Sequence, residues 1–285
     1  MMTKNAIPAA TGKAPRRKMT FTRQLARLGV LLAGAYLFGV IVATGCINRI
    51  MYHPPRPASY SDGEGILKLT TADGTKIAAM HLQNPAARYT ILYSHGNGED
   101  MGQMEPYYRM FDSAGYNVLA YDYHGYGTSE GSPSEEATYA DIDAAYDYLV
   151  TQAGVEPSRI LVLGRSLGSG PATDLAMRKP VGGLILESSF TSAFRVATRW
   201  PIFPRDRYRN LEKLPNVHCP VLFIHGRQDN LLPFWHAEKN FHAANEPKQF
   251  YWVESAGHNN LMLVAGTKYF DTLKEFVSLI ESRQE

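Results

Sequence analysis

Short, near-continuous apolar runs alternate along this chain with longer segments whose apolar positions recur every three or four residues. The runs are Tyr89–Ser94, Tyr116–Tyr121, Arg159–Leu163, Gly183–Glu187, Pro220–Ile224 and Gln249–Val253. Runs of that kind predict strands buried on both faces, as in a parallel sheet. Helical periodicity covers Met104–Ala114, the stretch from Ser134 to about Gln152, Ala172–Arg178, Phe234–Ala244 and Thr267–Ser282. In the second of these Tyr139, Ile142, Ala145, Tyr146 and Leu149 fall on one face. Gly65–Thr71 and Thr75–Leu82 flank Asp73-Gly74, which predicts a hairpin. The pattern is that of an α/β protein: a mostly parallel central sheet with helices on both faces and antiparallel strands at one edge. In such sheets ligands bind beyond the carboxyl ends of the strands, so the residues just after each strand carry the search for chemistry.

The amino terminus breaks the alternation. Residues 1–27 are basic and hold no acid, and Leu28–Ile47 hold no charge at all. Twenty residues at helical rise span about 30 Å, the hydrocarbon thickness of a bilayer. A basic flank ahead of such a stretch keeps the amino end in the cytoplasm and exports the rest of the chain. Two readings stay open. The stretch is an uncleaved signal anchor, or it is a signal cut before Cys46, since Ala43-Thr44-Gly45-Cys46 resembles a bacterial lipobox and would make Cys46 the lipidated residue. Both attach the protein to a membrane with its globular domain periplasmic or otherwise extracytoplasmic. Residues 48–64, with Pro54, Pro55 and Pro57, read as an extended linker or a loosely packed lead-in strand. The globular domain then covers 65–285.

Composition narrows the function classes. The chain has 285 residues and a net charge of +2, too small to imply a nucleic-acid partner. Two cysteines, Cys46 and Cys219, do not make a disulfide framework, and no Cys/His spacing resembles a zinc site. No metal or organic cofactor is implied, and no oligomeric state is specified.

The stretch Gly164-Arg165-Ser166-Leu167-Gly168 joins an apolar strand to a helical segment. That is the strand–turn–helix setting in which G-x-S-x-G exposes a nucleophilic serine, with glycines on either side so that strand and helix pass closely. A serine hydroxyl needs a base, and the base an orienting acid. Of nine histidines only His258 lies in a loop after the last strand. Asp229 follows the Pro220–Ile224 strand, with Glu187, one strand earlier, as the alternative acid. The order Ser166, Asp229, His258 is the one this architecture uses. An oxyanion needs two donors. The backbone N–H groups of Leu167 and of Asn97, in His95-Gly96-Asn97-Gly98, are the candidates. Asp122 is expected to order its own glycine-rich loop. Pro171 predicts an irregular first turn in the helix after the serine.

With these residues in hand, the chain resembles the α/β-hydrolase superfamily over about residues 65–282. Within it, the chain is similar to the group that includes the protein depalmitoylases of animals and the bud-emergence-type hydrolases of microbes and plants. The segments that carry the likeness are Ser94–Gly98, Met101–Met104, Tyr121–Gly127, Tyr139–Ala145 and Pro171. The resemblance implies hydrolysis of carboxylic esters or thioesters through an acyl-enzyme, on a small acyl ester or lipid-like substrate. Two alternatives remain: a peptidase or amidase on the same triad, and a non-catalytic envelope binding protein. Residues 190–214 sit where this fold inserts a lid. They mix Phe194, Trp200, Phe203 and Tyr208 with six basic and two acidic side chains. Such a segment suits an amphipathic substrate or an anionic membrane surface, or forms a short helix with a solvated basic face.

Overall fold

The computed structural model describes residues 21–200 and 206–283; in the first helix the described side chains are those of 23–39 and 48–51. The chain divides into two compact units, one ending at Ile47 and one comprising Asn48–Glu285. The first helix, α1, runs from Phe21 to Met51, and its described side chains up to Gly39 are exposed. Among the described residues no helix is long and apolar enough to cross a membrane. The side chains of the eight residues Val40–Ile47 that complete the expected span, that of Cys46 among them, lie outside those described, as do the basic residues before position 21.

The second unit is built on one eight-stranded sheet. Its strands are β1 (Ile66–Thr70), β2 (Lys76–Leu82), β3 (Thr90–Ser94), β4 (Asn117–Tyr121), β5 (Ile160–Arg165), β6 (Gly183–Glu187), β7 (Val221–Gly226) and β8 (Lys248–Val253), in the order β1-β2-β4-β3-β5-β6-β7-β8. The β1–β2 and β2–β4 pairs are antiparallel and every later pair is parallel. The opening hairpin turns where Asp73 Oδ1 accepts from the Thr75 N–H at 3.0 Å and the Thr71 hydroxyl at 2.6 Å, so the aspartate's own side chain shapes the turn. The helices between the strands are α2 (Met101–Ser113), α3 (Glu135–Thr151), α4 (Ser169–Arg178), α5 (Ala193–Ala197), α6 (Asn210–Lys213), α7 (Trp235–Ala243), α8 (Leu261–Ala265) and α9 (Thr267–Glu281). Ser134 caps α3, its Oγ accepting from the Ala137 N–H at 3.0 Å.

Alternate residues of the buried strands feed two cores, one on each side of the sheet. Leu92, Val162, Leu184, Leu186 and Phe223 pack on one side, and Ile91, Leu161, Leu163, Ile185 and Leu222 on the other. Burial on both faces makes these strands uniformly apolar in sequence. The parallel register pairs Ser94 with Gly164, Arg165 with Glu187 and Gly226 with Val253. The loops that follow β3, β5, β6, β7 and β8 therefore open on one edge.

Residues 48–64 are not a free linker. Tyr52 is buried and its hydroxyl lies 2.6 Å from that of Tyr208, and the half-buried Tyr60 donates to Asp122 Oδ2 at 2.5 Å. Residues 48–51 close α1, and beyond them Tyr52 and Tyr60 fasten the proline-containing stretch onto the rest of the unit.

Candidate active site

Arg165 ends β5, and the chain turns at Ser166 with φ of 50°, a left-handed conformation rare for a residue with a side chain. Such a residue costs on the order of 1–3 kcal/mol and needs its surroundings to hold it. Two glycines let them do so. A Cβ on Gly164 would run into the Gly168 carbonyl and the Ala172 methyl, and one on Gly168 into the carbonyls of Ser94 and His95. A 3-10 turn, Ser166–Gly168, precedes α4, and Pro171 falls in the first turn of α4, where an N–H has no intrahelical partner to lose. This is the irregular helix start that the proline predicts.

The turn aims Ser166 at a histidine. His258 Nε2 lies 3.0 Å from Ser166 Oγ, and His258 Nδ1 lies 2.7 Å from Asp229 Oδ2. Asp229 is buried in the loop after β7, and its other oxygen accepts the N–H groups of Leu231 at 2.9 Å and Leu232 at 2.7 Å. Burial raises the Asp229 carboxyl. The bond to His258 and the Leu232 N–H outweigh that, so the group stays below its ordinary range and is an anion at neutral pH. The loops after β7 and β8 are tied directly: the Gln228 N–H donates to the Ala256 carbonyl at 3.0 Å, and Gly226 leaves room for that same carbonyl. Glu187 has other partners. Its Oε1 is 3.3 Å from Arg165 Nε, and its Oε2 accepts from the Tyr269 hydroxyl at 2.7 Å.

Asn97 and Leu167 line one cavity with Ser166. The loop carrying Asn97 is held at both ends. The Gly96 N–H donates to Glu99 Oε2 at 2.8 Å, and Glu99 Oε1 pairs with Arg165. His95 Nδ1 faces the Gly96 carbonyl at 2.8 Å and its Nε2 lies 3.1 Å from Asp122 Oδ1. Burial opposes the charge on His95, but Asp122 wins and the imidazole is shifted upward. Asp122 thus serves the Asn97 loop, since its Oδ1 also accepts the Met101 N–H at 2.9 Å, as well as the glycine-rich loop it begins.

The cavity measures about 240 Å³ and is apolar, lined by Met51, Leu167, Phe190, Val196, Leu231 and Leu232 among others. Among the described residues, three of the five basic side chains over 190–214 are ion-paired. Arg207 meets Glu135 and Glu136, Arg209 meets Glu212, and Lys213 meets Asp174 at 2.7 Å. Tyr208 is fully buried rather than displayed. Of the expected aromatic surface Trp200 stays exposed, while Phe203 and Arg205 lie outside the described residues.

Sequence reasoning passed over two groups. Arg165 was only a filler letter in G-x-S-x-G, although an arginine amid apolar strand residues signals a buried pair. Ile50–His53 reads as linker in the sequence, where Tyr52 among prolines is the signal of an anchor.

A serine on a tight strand–helix turn, bonded to a histidine that is bonded to a buried aspartate, on a mostly parallel sheet, defines a hydrolase of the α/β class. Comparison with known proteins agrees. The family described as Serine aminopeptidase, S33 matches over residues 85–208. The chain is 41% identical over 217 residues to Alpha/beta hydrolase domain-containing protein 17B of Xenopus tropicalis, covering 73% of each chain. It is 40% identical to the human protein of that name over the same shares. It therefore belongs to the alpha/beta hydrolase family. An esterase of Pyrococcus furiosus superposes with a TM-score of 0.67 at 20% identity, over 79% of this chain and 98% of that one. One from Exiguobacterium antarcticum does so at 0.58 and 18%, over 74% and 98%. These two likenesses are of fold.

Proposed function

We propose that the protein is a serine hydrolase that cleaves carboxylic esters or thioesters. Ser166 Oγ attacks the acyl carbonyl while His258 Nε2 takes its proton. The same imidazolium then protonates the leaving alcohol or thiol, and water releases the acyl group from Ser166 by the reverse proton path. Asp229 holds the imidazole in the tautomer whose Nε2 is free to accept. The N–H groups of Asn97 and Leu167 receive the oxyanion, each worth on the order of 2.7–4 kcal/mol of barrier. The observation that carries this reading is the unbroken chain from Ser166 Oγ through His258 to Asp229, at 3.0 and 2.7 Å.

The described cavity lining favours an acyl group over a peptide amino terminus. It holds apolar side chains with His53, Asn97 and Ser166, and no carboxylate to receive an α-ammonium. This sets the ester reading above the aminopeptidase one that the matched family description suggests. The membrane attachment proposed for the chain rests on the basic residues 1–27 and the uncharged Leu28–Ile47. It places the substrate in or beside an extracytoplasmic membrane face, and fatty-acid labelling of the protein that is lost in Cys46→Ala would select the lipoprotein form.

The test is labelling by a serine-directed fluorophosphonate together with turnover of a p-nitrophenyl ester. Ser166→Ala is expected to abolish both, and His258→Ala to cut turnover by orders of magnitude in a protein that still folds. Labelling that persists in Ser166→Ala would place the nucleophile elsewhere.

A further inference from the structure

Ile50 and Met51, the last two residues of α1, line the cavity beside Ser166. Exposure separates that cavity's floor from its rim. Leu232 at 1%, Phe190 at 4% and Leu167 at 5% form the floor, whereas Ile50 at 62% and Leu231 at 55% stand at the mouth. Met51, half-buried and packed against the core, forms part of the wall between them. Its position is fixed through its backbone. The Asn97 side-chain amide donates from Nδ2 to the Met51 carbonyl at 2.6 Å and accepts the His53 N–H at Oδ1 at 3.0 Å, bracketing Tyr52 between two bonds. The Tyr126 hydroxyl donates to the same Oδ1 at 2.7 Å and holds the amide in place. Tyr52 itself is locked beneath by the Tyr208 hydroxyl at 2.6 Å, which in turn meets Thr138 Oγ1 at 2.8 Å.

Asn97 therefore has two faces. Its backbone belongs to the oxyanion loop and its side chain grips the segment that walls the cavity. From this we infer that Ile50–His53 is a specificity-determining wall of the acyl cavity, with Met51 setting how long an acyl chain Ser166 accepts and the Asn97 side chain setting where Met51 stands. The inference rests on the acyl-transfer reading of Ser166 but concerns which acyl groups fit, not whether the bond is cut. Apolar pockets discriminate single methylene groups by about 10–200-fold, so one wall residue suffices to move a length preference.

The test uses the full-length protein and a series of n-alkyl fluorophosphonates of increasing chain length, reading the rate at which each labels Ser166. Met51→Ala is expected to raise the long-to-short rate ratio by about tenfold or more, and Met51→Trp to lower it by a similar factor. Asn97→Ala keeps the backbone N–H yet releases the wall, so its ratio should move with Met51→Ala. Should Met51→Trp fail to fold, Ile50→Ala, at the exposed mouth, supplies the second variant and should shift the ratio in the same sense as Met51→Ala. Wild-type ratios in folded Met51 variants would overturn the role of the wall, and a wild-type ratio in Asn97→Ala would overturn the role of the amide. Labelling that survives Ser166→Ala is a separate outcome, which overturns the nucleophile assignment instead.

Discussion

Arg165 Nε lies 3.3 Å from Glu187 Oε1, across the register that pairs these two residues at the ends of β5 and β6. The guanidinium reaches further: it pairs with Glu99, which holds the Gly96 N–H, and Nη2 donates to Asn259 Oδ1 at 3.1 Å and to the His258 carbonyl at 3.5 Å. One buried cation, flanking the serine in sequence, thus ties the oxyanion loop, the turn and the loop of the base. Burial pushes the Glu187 carboxyl upward against the pull of Arg165, so the carboxylate form depends on that cation. The two acids are assigned opposite work. Asp229→Asn should cut ester turnover by roughly 10⁴-fold, because an amide no longer fixes the imidazole tautomer. Glu187→Gln should retain most turnover and lower the melting temperature. Turnover measured beside a thermal melt separates them, and the reverse pattern would make Glu187 the acid of the triad.

Arg165→Met leaves two carboxylates, Glu99 and Glu187, without their cation in a buried site. Breaking such a pair from one side costs about 3–5 kcal/mol, and urea unfolding should show a loss of that size. Arg165→Lys restores the charge but lacks the planar fork that meets Glu99, Glu187 and Asn259 together. It should recover part of the stability and less of the turnover.

The elbow tolerates no methyl group. Gly168→Ala places a Cβ against the Ser94 and His95 carbonyls, which are backbone atoms of β3 and its loop and cannot swing aside. Overpacking of this kind costs about 1–3 kcal/mol, and relief by shifting the His95–Asn97 loop would displace an oxyanion donor. Reduced stability together with slowed fluorophosphonate labelling is expected. Unchanged labelling would show that the loop is not coupled to the turn.

The sheet was legible because strands buried on both faces write themselves as apolar runs, and β6 falls at the predicted residues Gly183–Glu187. Strand ends and chain order alone point to Ser166, Asp229 and His258, and the fold puts His258 within hydrogen-bond distance of each of the other two. What failed was tertiary. Three prolines suggest extended backbone over 48–64, yet residues 48–51 close helix α1, and nothing local says that Tyr52 will find Tyr208 more than 150 residues away. Counting charges over 190–214 likewise could not show that α3 supplies Glu135 and Glu136 to meet Arg207. The short helices α5, α6 and α8 carry too few turns to impose a period.

The Tyr52–Tyr208 contact should be measurable as stability. Tyr52→Phe keeps the buried ring and removes one hydroxyl of a buried hydrogen-bonded row that runs from Tyr52 through Tyr208 to Thr138. The loss should be about 0.5–1.5 kcal/mol. Tyr52→Ala also empties buried volume and should cost about 3–5 kcal/mol, like other large aromatic truncations. Denaturation of both variants checks this. A Tyr52→Ala protein as stable as wild type would return residues 48–64 to the status of a free linker.

Acid should destabilise the protein through His236. This residue is fully buried beside the cavity segment, its Nδ1 accepting the Thr191 N–H at 3.1 Å, and burial lowers its imidazole to about 3. An unfolded chain protonates that histidine near pH 6.5, whereas the native state stays neutral until about pH 3. Between those values the unfolded state binds the extra proton, so stability falls as pH falls, by about 1.4 kcal/mol per pH unit from this group. Asp229, lowered in the native state, acts in the same direction, and His95, raised in the native state, acts in the opposite one, losing its contribution as pH rises. His236→Gln offers the Thr191 N–H an amide oxygen and cannot titrate. Unfolding free energies of the variant and wild type, measured from pH 7 to pH 4.5, should converge as pH falls, because wild type alone loses this contribution. A difference between them that stays constant over that range would mean that His236 is protonated in the native state as readily as in the unfolded chain.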